Sequence, residues 1–399
     1  MVKRMHTLDY DVVIAGGGLA GLLAAREVAS KGLRVAVFEE DLEIGVPDKC
    51  DGLVSMRALM SLGVIPSSRA VQNTIKRVLI YPPSGKPIEV ETSKLKVVVL
   101  DRRVFDKDLA RAAASKGAEI ILGEKIAKAV EEEGCVKVET NNIFRSKIYI
   151  EAKGTSALPA EKQKFLIPAA RYDIEAKWVP EDAVEVYVDS TKYPSFFLWV
   201  ISTGKDSAKL GVAGRFINCF TALDEFLRQK GGGYVIKKVS APIYVGGPID
   251  RFVKGRTMIV GDSAGQTKPS TGGGIYSCGL AGVFAGQAAA NYLLEGDLDA
   301  LQKYSRSWLS LFKEDFRATL LARRIYEKMD NRSIEKIFNL IREKNLLNDL
   351  LQEDGFDEQS KWIRRILSIE DLVKIFSIAA AEEARSLIKQ VSDLLTQKR

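Results

Sequence analysis

The sequence predicts an α/β chain, α+β overall. A βαβ-based unit is assembled from residues 1–75, 96–168 and 246–296. An antiparallel-sheet unit is inserted at 76–95 and 169–245, and a helical region covers 297–399. Three observations predict this. The first fifty residues read as strand, helix, strand; the stretch 171–245 is rich in short strand-like runs; and after Gly296 the pattern is helical almost to the end. At 399 residues the chain has room for two or three such domains.

The elements follow in order. Tyr10 to Ala15 is a short apolar run ending in glycines, Leu19 to Ser30 carries small and apolar residues at helical spacing, and Leu33 to Phe38 is a second apolar run. Strand, helix and strand in so short a stretch form a βαβ unit, which implies parallel pairing and a right-handed crossover. From Ile75 to Val99 short alternating segments flank the turn Pro82-Pro83-Ser84-Gly85. A helix is expected from Arg103 to Lys116, with Phe105, Leu109 and Ala113 on one face, followed by strands at Ile120 to Leu122 and Val136 to Thr140. Residues 171–245 carry turn signals near Pro180, Lys192-Tyr193-Pro194 and Gly204, and read as a separate, largely antiparallel sheet. In the C-terminal region Trp362, Ile363, Ile366, Leu367, Ile369, Leu372, Val373 and Phe376 form a broad apolar stripe, with Arg364 and Arg365 on a solvated face.

Composition removes several function classes. Hydrophobic residues at 46% and charged residues at 28% are ordinary for a folded protein, so global disorder is excluded. The net charge of +7 permits weak attraction to an anionic lipid surface but is no nucleic-acid footprint. Cys50, Cys135, Cys219 and Cys278 form no CxxC pair, so neither a disulfide framework nor a zinc site is indicated, and no metal is expected. The single histidine, His6, lies in the N-terminal tail, which excludes a Ser-His-Asp triad and much hydrolytic chemistry. Lys3 and Arg4 superficially resemble a secretion signal, but Asp9 and Asp11 break the apolar stretch. The uncharged run Pro269 to Leu294 is interrupted by Gly272, Gly273, Gly274, Gly279, Gly282 and Gly286, and reads as a packed loop and helix rather than a membrane span. A cytoplasmic protein is expected, with peripheral membrane contact permitted.

Chemistry first appears at Gly16-Gly17-Gly18-Leu19-Ala20-Gly21, a GxGxxG directly after a strand and at the start of a helix. Gly16 permits the tight turn, and Gly18 lets a pyrophosphate approach the backbone at Leu19 and Ala20, where N–H groups and the helix dipole favour negative charge. Gly21, with Ala24 and Ala25, lets the helix lie close on the sheet. Glu39, followed by Glu40, ends the second strand where an acidic side chain binds ribose hydroxyls. Alone such a motif is no more than a glycine-rich turn; both strands, the small-residue helix and Glu39 make it a dinucleotide site. It does not separate FAD from NAD. A second motif does. Gly261-Asp262, six residues and then Pro269 follow the apolar run Thr257 to Val260, placing Asp262 to reach ribityl hydroxyls. Pro269-Ser270-Thr271-Gly272-Gly273-Gly274 then opens a helix at Ile275 whose first amides can face the N1–C2=O edge of a flavin.

These residues resemble the FAD-dependent enzymes with the p-hydroxybenzoate hydroxylase type of fold. Three pieces match: Gly16 to Gly21 with Glu39; Arg102-Arg103-Val104-Phe105-Asp106 followed by Leu109; and Gly261-Asp262 through Pro269. Within that class the chain is similar to the geranylgeranyl reductase family, on Lys49-Cys50-Asp51-Gly52-Leu53-Val54-Ser55 and on Gly261 through Ile275. The resemblance covers about residues 8–295 and implies a Rossmann-like FAD-binding domain, with Gly16, Gly18, Gly21, Glu39, Arg102 and Asp262 on the cofactor. It also implies that Gly272 to Gly274 border the isoalloxazine and that Cys50, with Gly52 in its loop, faces the reaction cavity. The family's Tyr-x-Trp-x-Phe-Pro strand corresponds to Phe197-Leu198-Trp199-Val200-Ile201-Ser202, which keeps only the tryptophan. Asp51 stands where the family has a second glycine, and Lys153-Gly154 replaces its usual Asp-Gly.

The implied activity is FAD-dependent saturation of isoprenoid double bonds, which needs a hydride at one carbon and a proton at the other. Cys50 is a candidate proton donor or relay, or else a packed small residue. Cys278 lies in an apolar helix, and Cys135 and Cys219 lie near strand ends or turns; all three read as structural. Trp199, Phe196, Phe197 and Tyr187 either line a chain-shaped cavity or form a sheet core. The electron donor is open between transiently bound NAD(P)H and a reduced ferredoxin or quinol. Two other functions remain: a flavin monooxygenase or dehydrogenase acting on a smaller substrate, and a non-catalytic electron-transfer flavoprotein.

Overall fold

The computed structural model describes residues 8–297 and 299–343, together with 357, 359 and 360. His6 and the apolar stripe from Trp362 to Phe376, with Arg364 and Arg365, lie outside the described residues.

The first sheet is parallel at its centre. Strands β1 (Tyr10–Ala15), β2 (Val35–Glu39), β8 (Glu119–Leu122), β11 (Ile143–Glu151) and β20 (Thr257–Ile259) run side by side in the order β20-β11-β1-β2-β8. A short β19 (Val253–Lys254) caps one edge, and β9 (Lys128–Glu132) and β10 (Cys135–Glu139) add an antiparallel flap on β11. Strand β1 is buried on both faces, as a central parallel strand must be. Val12 and Ile14 pack towards helix α1 (Leu19–Ala29), while Val13 and Ala15 join Ala36, Phe38 and Tyr149 on the other side. Helix α3 (Arg102–Ala114) starts one residue before the expected Arg103, where Asp101 caps it by accepting from the Arg103 N–H at 2.9 Å.

Helix α6 (Ile275–Glu295) has no charged residue before its last position because it is enclosed. It lies between α1 and α7 (Asp299–Tyr326), whose Trp308, Phe312 and Phe316 form an aromatic layer with Phe252. A Cβ on Gly282 would strike the backbone of Ala20, and one on Gly286 the backbone of Ala24. The small residues of α1 therefore admit a second helix as well as the sheet, a use that the reading of Ala24 as a sheet contact did not include. Helix α8 (Asn331–Glu343) follows.

The second sheet has seven strands. They are β5 (Arg77–Tyr81), β6 (Ile88–Glu91), β13 (Ala169–Glu175), β14 (Ala183–Tyr187), β15 (Leu198–Gly204), β16 (Ser207–Ala213) and β17 (Tyr234–Ser240), in the order β17-β13-β16-β15-β14-β5-β6. All pairs are antiparallel except β14 with β5. One face is covered by α5 (Cys219–Gln229), which the strand reading of 171–245 missed. Cys219, Leu223, Phe226 and Leu227 recur at helical spacing there and pack on Tyr172, Ile174, Leu210 and Val212, with Asn218 capping the N-terminus. Cys219 thus opens a helix just after the turn at residues 215–216. A three-stranded sheet of β3 (Leu53–Ser55), β4 (Val71–Ile75) and β7 (Val97–Leu100) joins the two larger ones, and the six-residue α2 (Met56–Ser61) leaves it. The remaining elements are small: α4 (Ala160–Gln163), β12 (Leu166–Ile167) and β18 (Ile243–Tyr244). Among the described residues no helix is long and apolar enough to cross a membrane.

Candidate active site

The glycine turn is constrained at two points. Gly16 has φ +104°, and a Cβ there would strike the Ala152 carbonyl; a Cβ on Gly21 would strike the Gly16 carbonyl. Gly18 differs: no atom stands within 4 Å of where its Cβ would be, so the backbone before Leu19 and Ala20 is open in front of α1. Glu39 is half-buried and accepts from Gly17 N at 2.7 Å and Asp41 N at 3.0 Å, which fixes its carboxylate beside the turn. Glu40 is exposed and paired with Lys125 at 2.6 Å.

The second motif meets the first. Gly261, at φ +68°, abuts Ala20 of α1, and its N–H donates to Gln266 Oε1 at 2.8 Å. Asp262 accepts from Cys278 Sγ at 3.5 Å; burial raises its carboxyl above the usual range, against the opposing pull of Cys278 and Arg102. Gly274 caps α6 just before Ile275. A Cβ on Gly272 would collide with Ile243, a neighbour of the Trp199 cluster, while Gly273 is exposed. The open approach at Gly18, the fixed Glu39 and the Asp262 carboxylate fit a flavin dinucleotide.

Arg102 is held by Asp106 in a bidentate fork, both contacts at 2.9 Å. Burial works against its charge, but Asp106 and the neighbouring Cys50 more than compensate and keep the guanidinium protonated. Cys50 is half-buried, on the core that contains α1 and α6. Gly52, at φ +80°, sits so close to Leu100 that any side chain would strike its carbonyl. Cys50, Arg102, Asp262 and Cys278 thus converge from four separate stretches of chain. Lys153 does not stand alone in place of the missing acid: it pairs with Glu151 at 3.2 Å.

Trp199 belongs to an apolar cluster with Phe196, Val97, Val99, Ile75 and Ile201, bordered by Phe197, Leu53 and Leu95. Phe197 precedes β15 rather than lying in it. Tyr187 is separated from this group: it stacks on Tyr81 at 4.5 Å and packs on Phe226, on the α5 side of the sheet. Opposite Trp199 in register lies Gly211, whose missing side chain leaves room for the indole.

The side chains missed by sequence reasoning lie beside Trp199. Arg171 and Asp173 alternate with Tyr172 and Ile174 along β13, and they share a face with Lys209 and Lys237. Arg171 donates to Cys50 O at 3.0 Å and to Asp48 Oδ2 at 3.0 Å, and forms ion pairs with Asp51 at 3.4 Å and Asp173 at 3.0 Å. Lys209 donates to Asp51 O at 2.8 Å, and Lys237 reaches Asp48 at 3.3 Å. Burial would raise Asp48, yet Arg171, Lys209 and Lys237 bring it below the usual range; for Asp51 burial prevails and raises it. Burial likewise depresses Lys209 against the pull of both aspartates. The Trp199 indole N–H lies beside Asp51, short of hydrogen-bond geometry. The legible signal was charge at every second position of strands whose other positions are apolar.

This combination of a dinucleotide turn, an Asp262 motif and a sheet domain against the cofactor face defines an FAD-dependent oxidoreductase. The FAD binding domain family matches residues 9–149. Digeranylgeranylglycerophospholipid reductase 2 of Methanopyrus kandleri is 31% identical over 386 residues, covering 90% of this chain and 97% of that one. The chain belongs to that reductase family. An uncharacterized protein of Methanocaldococcus jannaschii is 27% identical, covering 92% of this chain and 97% of its own. Among solved structures, a geranylgeranyl bacteriochlorophyll reductase-like protein from Thermoplasma acidophilum superposes with a TM-score of 0.78 at 25% identity, over 96% of this chain and 99% of that one. A p-nitrophenol 4-monooxygenase from Pseudomonas putida, at TM-score 0.65 and 16% identity over 99% of this chain and 100% of its own, shares the fold.

Proposed function

We propose that this protein saturates carbon–carbon double bonds in geranylgeranyl chains, those of archaeal-type phospholipids or of prenyl diphosphates. The observation that carries the reading is the convergence of Cys50, Arg102 and Asp262 beside the apolar Trp199 cluster. The names of the relatives supply the substrate class. The turn Gly16 to Ala20 would receive the pyrophosphate, Glu39 the ribose, Asp262 the ribityl chain, and Gly272 to Ile275 the ring edge. When bound and reduced, the flavin supplies hydride.

The chain's own residues do the rest. The Trp199 cluster excludes water and holds the prenyl chain. Cys50 holds the proton for the second carbon, and the adjacent Arg102 cation offsets the charge left when that proton departs. Arg171 fixes the Cys50 carbonyl and so the direction of the thiol. Electrons arrive from transiently bound NAD(P)H or from reduced ferredoxin; supplying each in turn separates the two.

The test is anaerobic. The holoenzyme is reduced chemically, given a digeranylgeranyl phospholipid or geranylgeranyl diphosphate, and the product mass is read. Gains in steps of two hydrogens, slowed in Cys50→Ala with flavin content unchanged, are expected. Full flavin reduction with no mass change on either lipid would overturn the assignment and direct attention to oxygen consumption with phenol-sized substrates.

A further inference from the structure

We propose that the mouth between α2 and the turn at residues 92–96 is the portal through which an anionic phospholipid enters from a bilayer surface, with its phosphate held by Lys94 and Lys96. The inference rests on the lipid reading above and adds the place and chemistry of headgroup recognition.

A cavity of about 450 Å³ opens there, with Met56, Met60 and Leu95 as its apolar lining and Arg57, Lys94 and Lys96 around them; among the described residues no carboxylate lines it. Its lining touches both apolar clusters of the site. Met56 packs on the core against which Cys50 also packs, and Leu95 packs on the cluster that includes Trp199. In this proposal the prenyl chain passes inward over these two residues while its phosphate stays at the rim.

The outer surface suits a bilayer. Met60 is 67% exposed and Ile65, just beyond α2, is 85% exposed. Apolar side chains beside lysines are the composition that settles into a headgroup layer, the apolar groups entering the interface and the cations pairing with phosphate. Among the described residues neither Lys94 nor Lys96 is engaged in an ion pair. Lys96 is also held at φ 47°, ψ 58°, in the left-handed region, closing the short 3₁₀ turn Ser93–Leu95. Glycine or asparagine would sit there with less strain, so the position retains a cation at a conformational cost.

The test uses flavin-loaded protein and vesicles of phosphatidylcholine alone or mixed with phosphatidylglycerol. Binding is expected only to the anionic vesicles, weakening as salt is raised, and unaffected by inorganic phosphate at millimolar concentration. In Lys94→Gln/Lys96→Gln, two exposed substitutions, the vesicle affinity is expected to fall about 30-fold. KM for the prenyl phospholipid should rise by a similar factor, with kcat and the flavin spectrum unchanged. Met60→Gln should weaken binding without removing its charge dependence. Binding indifferent to lipid charge, or a double variant with wild-type affinity and KM, would overturn the proposal. If vesicle binding follows the charge but no prenyl lipid is reduced, the reaction falls and the portal stands; if reduction proceeds at unchanged KM in the double variant, the reverse holds.

Discussion

Replacing Arg171 by methionine tests the buried charge cluster directly. The Arg171 side chain is 5% exposed and that of Asp48 8%, so their pairing at 3.0 Å is shielded from solvent. Methionine keeps most of the apolar stem but removes the donors to Asp48 and to the Cys50 carbonyl and the cation facing Asp51 and Asp173. Removing one partner of a buried ion pair costs about 3–5 kcal/mol, mostly because the other charge stays behind. Lys237 and Lys209 still face Asp48, so the lower end, about 3 kcal/mol, is expected. The assay is chemical denaturation followed by tryptophan fluorescence, comparing midpoints at equal slope. Asp48→Asn in the same background should recover part of the loss, giving a coupling of about 1–3 kcal/mol in a double-mutant cycle. The reductase rate should fall as well, since Arg171 also aims the Cys50 loop. A loss below about 1 kcal/mol, or additive single effects, would refute the account of this cluster.

Three further outcomes are expected. Gly282→Ala places a Cβ on the backbone of Ala20 and should cost about 1–3 kcal/mol by separating α6 from α1, with flavin content falling as the turn at Gly18 shifts; full flavin loading and an unchanged midpoint would count against this packing. Gly211→Val would drive a side chain into the Trp199 ring, and the partly saturated products should change in distribution while flavin absorption stays the same; an unchanged product pattern removes Trp199 from the cavity wall. The aspartates should respond oppositely to pH. The folded Asp48 carboxyl, lowered by Arg171, Lys209 and Lys237 in spite of burial, contributes stability above the unfolded value of about 4 that is lost as pH falls through its folded value. The buried Asp51 carboxyl is raised, so its favourable contribution disappears as pH rises from about 4 through the folded value. Denaturation midpoints of Asp48→Asn and Asp51→Asn against wild type across that range read both signs, and parallel curves would remove the effect.

The dinucleotide half of the molecule was legible in the chain because its signals are local. Gly16, Gly18 and Gly21 act within one strand-turn-helix, and Glu39 follows at a separation set by one helix and one strand. The Gly261-Asp262 segment and the glycine run before Ile275 are similarly short-range, and they are what separated FAD from NAD in reading the chain. Cys50 stood out through the resemblance of its loop to that of the reductase family. Helix α5 was also legible, since Cys219, Leu223, Phe226 and Leu227 have helical spacing; it was lost by treating the whole of 171–245 as strands.

What only the tertiary structure decided is which residues meet. Arg171, Lys209 and Lys237 are unremarkable charges on separate strands until antiparallel register sets them on one face against Asp48 and Asp51. Tyr187 and Trp199 looked equivalent as candidate wall residues, yet they pack on opposite sides of the same sheet. Side-chain direction in a strand alternates residue by residue, so a face is assigned only when the neighbouring strands and the covering helix are known. The sequence by itself determined the cofactor and the class of chemistry, because the glycine turn and the Gly261-Asp262 segment that point to them are contiguous stretches of chain. The apolar cluster around Trp199, the charge beneath Cys50 and the proposed portal at α2 depended on contacts between residues far apart in the chain.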